Sequence, residues 1–464
     1  MWSSRKRQGK KINAQTLFAI ASNTKAFTAT GLALLKKQGL INWEDKVIEH
    51  LPWFRLSDPY VTHELTVKDL LVHRSGLGLG AGDLLWWPPS TYYRDEIVKR
   101  LQYIPLKSSF RNTYAYDNVL YLVAGKIIEE ASGLSWEEFI QQNILNPIGM
   151  SSSTVHGIHY TRHKNIAAPH ACIEGKIVTV EPFLNKNVGP AGGIMSNAQD
   201  MAKWMITQLD SGRISNGTRL FPSWTTRELW SIVTPMPIQS FPSPLKSIQP
   251  QFSGYALGFG IHDYRGYKIV SHTGGLPGYV SRLTMLPEKK IGIMVLTNQE
   301  SGAAFNAITH NILDLFLNAS DTQWIKIYKK IVTQRDSMVL SLINSAASSR
   351  DETSKPSLEL AAYTGTYRDK WYGDIMISRD QDQLTIKFTN TPDLTGYLEH
   401  WQYDTFIACW NKRELRADAY ISFTLQPDGS IDHATMKPVS PATDFSFDFQ
   451  DLLLKPVSSK KDTK

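Results

Sequence analysis

The spacing of the hydrophobic residues changes its period late in this 464-residue chain. In the earlier part, apolar residues recur every three or four positions or form short β-branched runs, a mixture typical of helices packed on a sheet. In the later part, Leu384, Ile386 and Phe388 alternate with polar residues, as they do in half-buried strands. A polar stretch without periodicity, residues 345–356, lies between the two patterns. The sequence therefore predicts two domains of different class with a linker between them.

We place a mixed α/β domain at residues 16–340, the linker at 341–356 and a small all-β, barrel-like domain at 357–457. Residues 1–15 are predicted to be a disordered basic tail, and residues 458–464 form a second basic tail. The two tails hold much of the formal net charge of +7. Because no motif of a nucleic-acid-binding fold accompanies this charge, we expect no nucleic-acid partner.

The composition excludes several classes of protein. With 42% hydrophobic and 20% charged residues, the chain is globular. Its two cysteines, Cys172 and Cys409, are far apart and support neither a disulfide framework nor a metal-binding pair. No apolar run is long enough to span a bilayer. The basic N-terminus lacks the apolar stretch of a signal peptide, so the sequence as given predicts a cytoplasmic location.

The segment "SNTK" places Ser22 and Lys25 at the start of a predicted amphipathic helix. Phe27 and Leu34 belong to its apolar face, and Gly39 follows its predicted end. Residues three apart lie on the same helical face, so the lysine can reach the serine hydroxyl. A desolvated lysine can accept the serine proton, and a first-turn N–H can stabilise an oxyanion. The pair is therefore a candidate nucleophile with its own base.

Spacing alone does not identify this pair. The same Ser-x-x-Lys spacing occurs at Ser3/Lys6, Ser243/Lys246 and Ser458/Lys461. Those pairs lie in charged tails or in a proline-rich loop, whereas Ser22 and Lys25 open an amphipathic helix after the apolar segment "LFAIA". The structural alternative is an ordinary polar start of a helix.

Two further segments carry side chains suited to the same chemistry. "YAYDNVLY" places Tyr116 and Asn118 at the start of a second helix, where a tyrosine can share a proton and an asparagine can bond a substrate amide. "SHTGGLPGY", which contains His272, follows a predicted strand, and its glycines leave room for a substrate along the strand edge. Taken alone, each has a plain alternative: a core tyrosine with a helix cap, and a glycine-rich turn.

In this order, the three segments resemble the motifs of the serine β-lactamase and penicillin-binding-protein superfamily, especially its class C-related branch of esterases, D-aminopeptidases and D,D-carboxypeptidases. That family has Ser-x-x-Lys, then Tyr-x-Asn, then Lys-Thr-Gly or His-x-Gly, and this chain has them at residues 22–25, 116–118 and 272–274. The resemblance covers about residues 15–320. The segment "YTGTY", residues 363–367, resembles the lipocalin-like β domain appended to some of these hydrolases.

The resemblance implies an α/β (α+β) fold in which helices flank an antiparallel sheet, with an all-helical subdomain and an appended small β barrel. It also implies a role for each matching side chain. Ser22 would be the acylated nucleophile, Lys25 its proton acceptor, and Tyr116 would share the base role and protonate the leaving group. Asn118 would bind the substrate amide. His272 would orient Tyr116 or bind a substrate carboxylate.

The backbone completes the implied site. The N–H groups of Ser22 and Gly275 would form the oxyanion hole, and Thr273 and Gly274 would line the substrate along the strand edge. The resemblance implies no cofactor and no metal. His156, His159 and His163 are close in sequence, but without a cysteine or acidic partner they are interpreted as part of a loop.

This chain departs from the family pattern in several places. Only 21 residues precede Ser22, where relatives have about two strands, so the N-terminal strands are expected to be missing. If the start is truncated, the resemblance favours a periplasmic or secreted protein. Asp117 replaces the usual small middle residue of the second motif, and its side chain is expected to point away. His272 favours esterase or peptidase chemistry over β-lactam hydrolysis, and no glutamate could be assigned to deacylation.

The leading hypothesis is a serine hydrolase that acts on a small molecule or short peptide through an amide, peptide or ester bond. D-Amino-acid peptides, β-lactams and esters are the candidate substrates, and the oligomeric state stays open. The loop at Trp86 and Trp87 and the C-terminal domain are expected to shape the site. An α/β-hydrolase is excluded because the chain has no Gly-x-Ser-x-Gly segment. The non-enzymatic alternative is a catalytically idle relative that binds peptidoglycan-like ligands or assembles with partners.

Overall fold

The structure is a computed structural model, and it describes residues 11–155, 165–183, 186–319 and 322–457. The described residues form two compact units. The first unit consists of residues 11–54, 58–77 and 106–332, and the second of residues 55–57, 78–105 and 333–457.

The helices lie mainly in the first unit, and their hydrophobic faces follow the spacing in the sequence. In the described residues they are α1 (Thr24–Lys37), α2 (Val47–His50), α3 (Pro59–Glu64), α4 (Arg94–Arg100), α5 (Val119–Ser132), α6 (Trp136–Ile140), α7 (Asn146–Ile148), α8 (Gly189–Gly192), α9 (Ala198–Leu209), α10 (Ser223–Leu229), α11 (Gly302–Phe316) and α12 (Trp324–Ser348).

The strands of the first unit are short before residue 260 and longer after it. They are β1 (Phe18–Ala19), β2 (His170–Ile173), β3 (Lys176–Thr179), β4 (Met195–Ser196), β5 (Thr234–Pro235), β6 (Ser253–Tyr255), β7 (Gly260–Tyr264), β8 (Tyr267–Leu276), β9 (Tyr279–Leu286) and β10 (Ile291–Thr297). In the described residues, six of them form one antiparallel sheet in the order β10-β9-β8-β7-β6-β5. The predicted antiparallel sheet flanked by helices is confirmed.

The helix predicted at Ser22 is α1, and its packing follows the predicted apolar face. Phe27 is fully buried and stacks on Trp204 of α9 with 3.9 Å between ring centroids. Burying an aromatic side chain of this size contributes about 1.5–3 kcal/mol. Gly39 follows the end of the helix with a left-handed φ of 75°, which a glycine adopts without strain. The start of α1 is thus anchored by a core that begins one turn after Ser22.

The second unit contains a closed eight-stranded antiparallel barrel, which confirms the predicted small all-β domain. Its strands are β11 (Gly365–Asp369), β12 (Gly373–Asp380), β13 (Gln383–Phe388), β14 (Thr395–Gln402), β15 (Thr405–Trp410), β16 (Ala419–Leu425), β17 (Ile431–Pro438) and β18 (Leu453–Pro456). Closure pairs β11 with β18 and leaves no open sheet edge in the barrel. Leu384, Ile386 and Phe388 are buried, as their alternation predicts.

Residues 78–105 belong to the same unit as the barrel, although the sequence predicts them within the hydrolase domain. Asp448 is buried, and its carboxylate accepts the N–H of Gly82 at 2.7 Å and that of Leu84 at 3.0 Å. Trp86 and Trp87 of the predicted loop are buried in this unit. The sequence does not reveal this association because the partners are more than 300 residues apart.

Two other segments differ from their predicted state. Helix α12 continues to Ser348, so the first eight residues of the predicted linker, 341–348, are helical. Arg350 then donates from Nη2 to the carbonyl of His400 at 2.9 Å, which holds the chain against the barrel. At the other end, residues 11–15 are not a disordered tail, since the N–H of Gln199 donates to the carbonyl of Ala14 at 3.1 Å.

Candidate active site

Ser22 lies in a tight turn between β1 and α1. Ala21, immediately before it, has a left-handed φ of 48°, which is uncommon for a residue with a side chain. Ile20 fixes the turn: its N–H donates to the carbonyl of Ile194 at 3.1 Å, and its carbonyl accepts the hydroxyl of Ser281 at 2.8 Å. A strained backbone persists when its neighbours determine it in this way, and such strain is concentrated at functional sites.

Lys25 is fully buried and connects three groups of the predicted site. Its Nζ donates to Ser22 Oγ at 3.1 Å, to Asn118 Oδ1 at 2.7 Å and to the carbonyl of Ala191 at 3.0 Å. These bonds use the three donors of an ammonium group. The structure therefore brings together the serine, lysine and asparagine that the two motifs predict, although 93 residues separate Lys25 from Asn118.

Tyr116 reaches the same cluster from the start of α5. Its ring centroid lies 4.9 Å from Lys25 Nζ, and the ring of Tyr121 lies 5.2 Å from the same atom. An aromatic face at this distance attracts a cation. The predicted tyrosine is thus next to the predicted base.

His272 has both ring nitrogens engaged. Nδ1 lies 2.6 Å from the carbonyl of Thr273, so it carries the proton and donates. Nε2 lies 2.7 Å from the hydroxyl of Tyr255 and accepts from it. Burial, with help from the charge of Lys25, lowers the pKa of His272 to about 3, so the ring is neutral at physiological pH. A neutral imidazole in this arrangement supplies no positive charge to a substrate carboxylate.

Strand β8 presents an open edge beside Ser22. Its pairing with β7 ends at Ser271, while its pairing with β9 continues to Leu276. Both hairpins of β8 close with two-residue turns, and closing pairs in such hairpins are hydrogen-bonded. Because hydrogen-bonded and non-hydrogen-bonded pairs alternate, the peptide groups of Thr273 and Gly275 point away from β9 toward the open edge.

Two glycines in β8 have opposite surroundings. A Cβ on Gly274 would lie 2.2 Å from the carbonyl oxygen of Ile20, so the strand can approach the turn before Ser22 only without a side chain. A Cβ on Gly275 would meet nothing within 4 Å. In the described residues the N–H of Ser22 has no backbone acceptor, as expected in the first turn of a helix. The two predicted oxyanion donors are therefore both available.

Sequence reasoning missed a buried histidine beneath the site. His73 is fully buried, and its ring centroid lies 4.3 Å from that of Tyr116 and 4.4 Å from that of Tyr255. Its Nδ1 accepts the N–H of Asp117 at 3.2 Å, and its Nε2 has no partner among the described residues. Burial and the charge of Lys25 hold the pKa of His73 well below its ordinary value. Its segment "LLVHRSGL" resembles the family, but nothing in the sequence assigns it a role.

The side chain of Asp117, which we expect from the sequence to point away, is fully buried beside His73. Oδ2 lies 3.9 Å from His73 Nδ1, and neither oxygen has a hydrogen-bond partner among the described residues. Burial raises the pKa of Asp117 to about 7, although the nearby N–H of Leu120 and the charge of Lys25 act in the opposite direction. The site therefore includes a carboxyl group that holds its proton up to neutral pH.

A family model described as Beta-lactamase matches residues 2–315 of the chain. The chain belongs to this family. A second model, described as a domain of unknown function (DUF3471), matches residues 349–456. Among curated relatives, unguisins hydrolase ungD of Aspergillus violaceofuscus is 26% identical over 418 residues, which cover 82% of this chain and 71% of the relative.

Solved structures of other proteins share the fold. The octameric penicillin-binding protein homologue from Pyrococcus abyssi has a TM-score of 0.59 at 21% identity, covering 98% of this chain and 91% of that one. A D-amino acid amidase from Ochrobactrum anthropi has a TM-score of 0.56 at 20% identity, covering 68% of this chain and 89% of that one. The family match and the hydrolase relative show that the protein is a serine hydrolase of the β-lactamase type, and the solved structures show the fold.

Other predicted features concern metals and membranes. In residues that the structure describes, no group of three or more histidine, cysteine or carboxylate side chains is placed to hold a metal ion. His156, His159 and His163 lie outside the described residues. The helices of the described ranges include none that is long and apolar enough to cross a membrane.

Proposed function

We propose that Ser22 is the acylated nucleophile of this hydrolase and that Lys25 and Tyr116 move its proton. The observation that carries the proposal is the 3.1 Å approach of Lys25 Nζ to Ser22 Oγ inside a buried cluster. In its amine form the lysine accepts the hydroxyl proton as Oγ attacks the carbonyl carbon. The N–H groups of Ser22 and Gly275 stabilise the oxygen that becomes negative.

The leaving group departs with a proton, and water completes the reaction. As the carbon–nitrogen or carbon–oxygen bond breaks, Tyr116 returns the proton to the leaving amine or alcohol, so the products are an acyl-enzyme and a neutral leaving group. Water then attacks the acyl carbon and gives its proton to the same pair. This second step regenerates the hydroxyl of Ser22 and releases a carboxylic acid.

We infer further that the substrate is an amide or ester that presents no carboxylate next to the scissile bond. A neutral His272, bonded to Thr273 and Tyr255, favours such substrates over those that carry a negative charge at that point. The open edge of β8 suits an extended peptide backbone, which can add to a sheet edge through main-chain hydrogen bonds. The names of the relatives, a hydrolase and a D-amino acid amidase, support amide-bond chemistry.

The nucleophile is tested by covalent labelling. We expect a fluorophosphonate probe to label the full chain and to leave Ser22→Ala unlabelled. Ser243→Ala, which has the same Ser-x-x-Lys spacing but begins a short 3₁₀ helix, Ser243–Ile248, rather than α1, serves as the matched control and should label like the wild type. Labelling that persists in Ser22→Ala, or disappears in Ser243→Ala, would overturn the assignment.

The substrate class is tested by comparing substrates that do and do not carry a carboxylate next to the scissile bond. The neutral substrates are N-acetyl-D-phenylalanine amide and N-acetyl-D-phenylalanine methyl ester. The carboxylate-bearing substrates are a D-alanyl-D-alanine peptide with a free C-terminus and nitrocefin. We expect kcat/KM for the neutral substrates to exceed that for the carboxylate-bearing ones by about tenfold or more, because a charge-assisted bond is worth about 1.5–3 kcal/mol. The opposite order would show that another cation serves the carboxylate.

A further inference from the structure

A second cleft lies on the face of the sheet opposite the one that carries His272. Arg282 of β9 pairs with Thr273 of β8, and neighbouring residues in a strand point to opposite faces. Over this face the cleft encloses about 240 Å³ between the sheet, α11 and the start of α12. Its polar wall includes Arg282, His262, Asn306, His310 and Tyr328.

Arg282 has no acidic partner in this cleft. Its Nη1 donates to Asn306 Oδ1, and its Nε donates to Thr284 Oγ1 at 3.2 Å. In the described part of the chain no carboxylate lies within ion-pair distance of the guanidinium. Burial lowers the pKa of Arg282, and the nearby Tyr328 acts in the opposite direction. Arg282 is partly buried, and a guanidinium partly removed from water without a counter-charge favours the binding of an anion.

The nearby carboxylates are engaged elsewhere. Asp314 is held by Arg265, whose Nε lies 2.8 Å from Oδ1, and it also accepts the hydroxyl of Tyr264 at 2.6 Å. Asp263, on the wall of the cleft, accepts the N–H groups of Gln251 and Phe252 through Oδ1, at 2.6 and 3.1 Å. Neither aspartate is among the charges that shift the pKa of Arg282.

The two histidines of the cleft are neutral. Burial and the charge of Arg282 lower the pKa of His262 to about 4 and that of His310 to about 3. His310 Nδ1 is bonded to the hydroxyl of Tyr328 at 3.0 Å. Among the described residues, the ring nitrogens of His262 have no hydrogen-bond partner, so one N–H is available to an incoming acceptor. The cleft thus offers a single guanidinium charge and a neutral donor.

We propose that this cleft binds a small monocarboxylic acid with an apolar body, through Arg282 and His262. A guanidinium matches the planar, two-oxygen geometry of a carboxylate. One positive charge suits a monoanion, and Asp263 on the same wall disfavours a dianion such as phosphate. The remaining walls, from Phe241, Leu245 and Ile248, are apolar. The site is separate from the proposed catalytic residues and goes beyond the proposed function.

Phenylacetate is the probe, with phenylacetamide as its uncharged isostere and inorganic phosphate as the dianion. Binding to the full chain is measured by isothermal titration calorimetry at pH 7, after Ser22 has been phosphonylated with a fluorophosphonate, which loses fluoride, to block the catalytic site. We expect saturable binding of phenylacetate, at least tenfold weaker binding of phenylacetamide and phosphate, and a loss of at least tenfold in Arg282→Gln. Arg282→Lys keeps the positive charge but loses the planar pair of N–H donors, so it should bind phenylacetate with intermediate affinity.

Stability separates a binding arginine from a structural one. If Arg282 serves a ligand, Arg282→Gln leaves Tm unchanged or raises it and abolishes the Tm increase given by phenylacetate. Exposed Arg213→Gln is the matched control and should retain the increase. Three results would overturn the proposal: equal binding of phenylacetate and phenylacetamide, unchanged affinity in both Arg282 variants, or binding that disappears when Ser22 is phosphonylated, which would place the carboxylate in the catalytic site.

Discussion

The proposed chemistry of this protein depends first on one buried lysine. Lys25 donates to the serine hydroxyl, to Asn118 and to a backbone carbonyl, so its position is fixed on three sides. In the proposed mechanism, the position of this base is already fixed before Ser22 attacks. Because Lys25 is buried, we expect the fold to tolerate a substitution that removes its charge but fills the same space better than one that leaves a cavity.

Lys25→Met is therefore the informative substitution. We expect it to keep the fold, because methionine fills the same buried space, and to slow acylation about 10²–10⁴-fold, the usual contribution of general base catalysis. The measurement is the rate of fluorophosphonate labelling at pH 8, with the far-ultraviolet circular dichroism of the variant as the check on folding. Labelling at the parental rate by a folded Lys25→Met would show that the lysine is not the base.

Because the pKa of Asp117 is raised by burial, we predict that the free energy of unfolding depends on pH. Its pKa is about 7 in the folded protein and near 3.8 in the unfolded chain, so the folded state keeps a proton that the unfolded state releases. The free energy of unfolding should then fall as pH rises from about 4 to about 7, by up to about 4 kcal/mol. Asp117→Asn should be more stable than the parent at pH 8, with the difference closing toward pH 4, as urea unfolding would measure.

Asp69 is the matched control, because its contribution to the pH dependence of stability has the opposite sign. Although burial raises the pKa of this carboxyl, hydrogen bonds from Arg111 and Thr66 outweigh burial and lower it. Its contribution is present above the unfolded pKa and is lost as pH falls. Asp69→Asn should therefore destabilise the protein at pH 7 and have less effect near pH 3. If both asparagine variants changed stability in the same direction at pH 7, the buried state of Asp117 would be contradicted.

At the scale of the element, the backbone of strand β8 packs against the turn that holds the proposed nucleophile, Ser22. Gly274 packs against Ile20, whereas a Cβ added to Gly275 would contact no atom within 4 Å. We expect Gly274→Ala to displace the turn before Ser22, because a Cβ at 2.2 Å from a backbone oxygen forces movement, and to slow labelling about 10²-fold, as misplacement of about 1 Å does in enzymes.

Gly275→Ala is the control for this prediction, since it adds the same methyl group one residue further along the same strand and keeps the N–H group. Its labelling rate and Tm should stay close to those of the parent. Equal effects of the two substitutions on labelling would mean that β8 does not set the position of Ser22.

The elements show why some of the site could be predicted and some could not. The helix at Ser22 and the alternation in the barrel depend on residues that are neighbours in sequence, so their spacing reveals them. The three motifs could be assembled because their order resembles a family. His73 and Tyr255 stay hidden, since they act through packing between elements that are distant in the chain. The burial of Asp117 is hidden for the same reason.

At the scale of the whole molecule, a segment inserted in the N-terminal part of the chain completes the second unit. Residues 78–105 are joined to the barrel through Asp448, whose pKa is raised well above its usual range by burial and by Asp83. Asp83 in turn accepts the hydroxyl of Ser446 at 2.8 Å and the indole N–H of Trp86 at 2.9 Å. Removing the barrel would therefore take Phe447 away from the ring of Trp87 and leave buried polar groups without partners.

This connection predicts the effect of losing one carboxylate. Asp448→Ala leaves the N–H groups of Gly82 and Leu84 buried without an acceptor, which costs about 1–3 kcal/mol for each group. We expect faster hydrogen exchange across residues 78–105, measured by mass spectrometry, and a lower midpoint of urea unfolding. Asp448→Asn keeps one acceptor and should show a smaller effect. Asp428→Ala, in an exposed turn of the barrel, should leave exchange in residues 78–105 unchanged; acceleration there by this control would show that the segment responds to any change in the barrel rather than to Asp448.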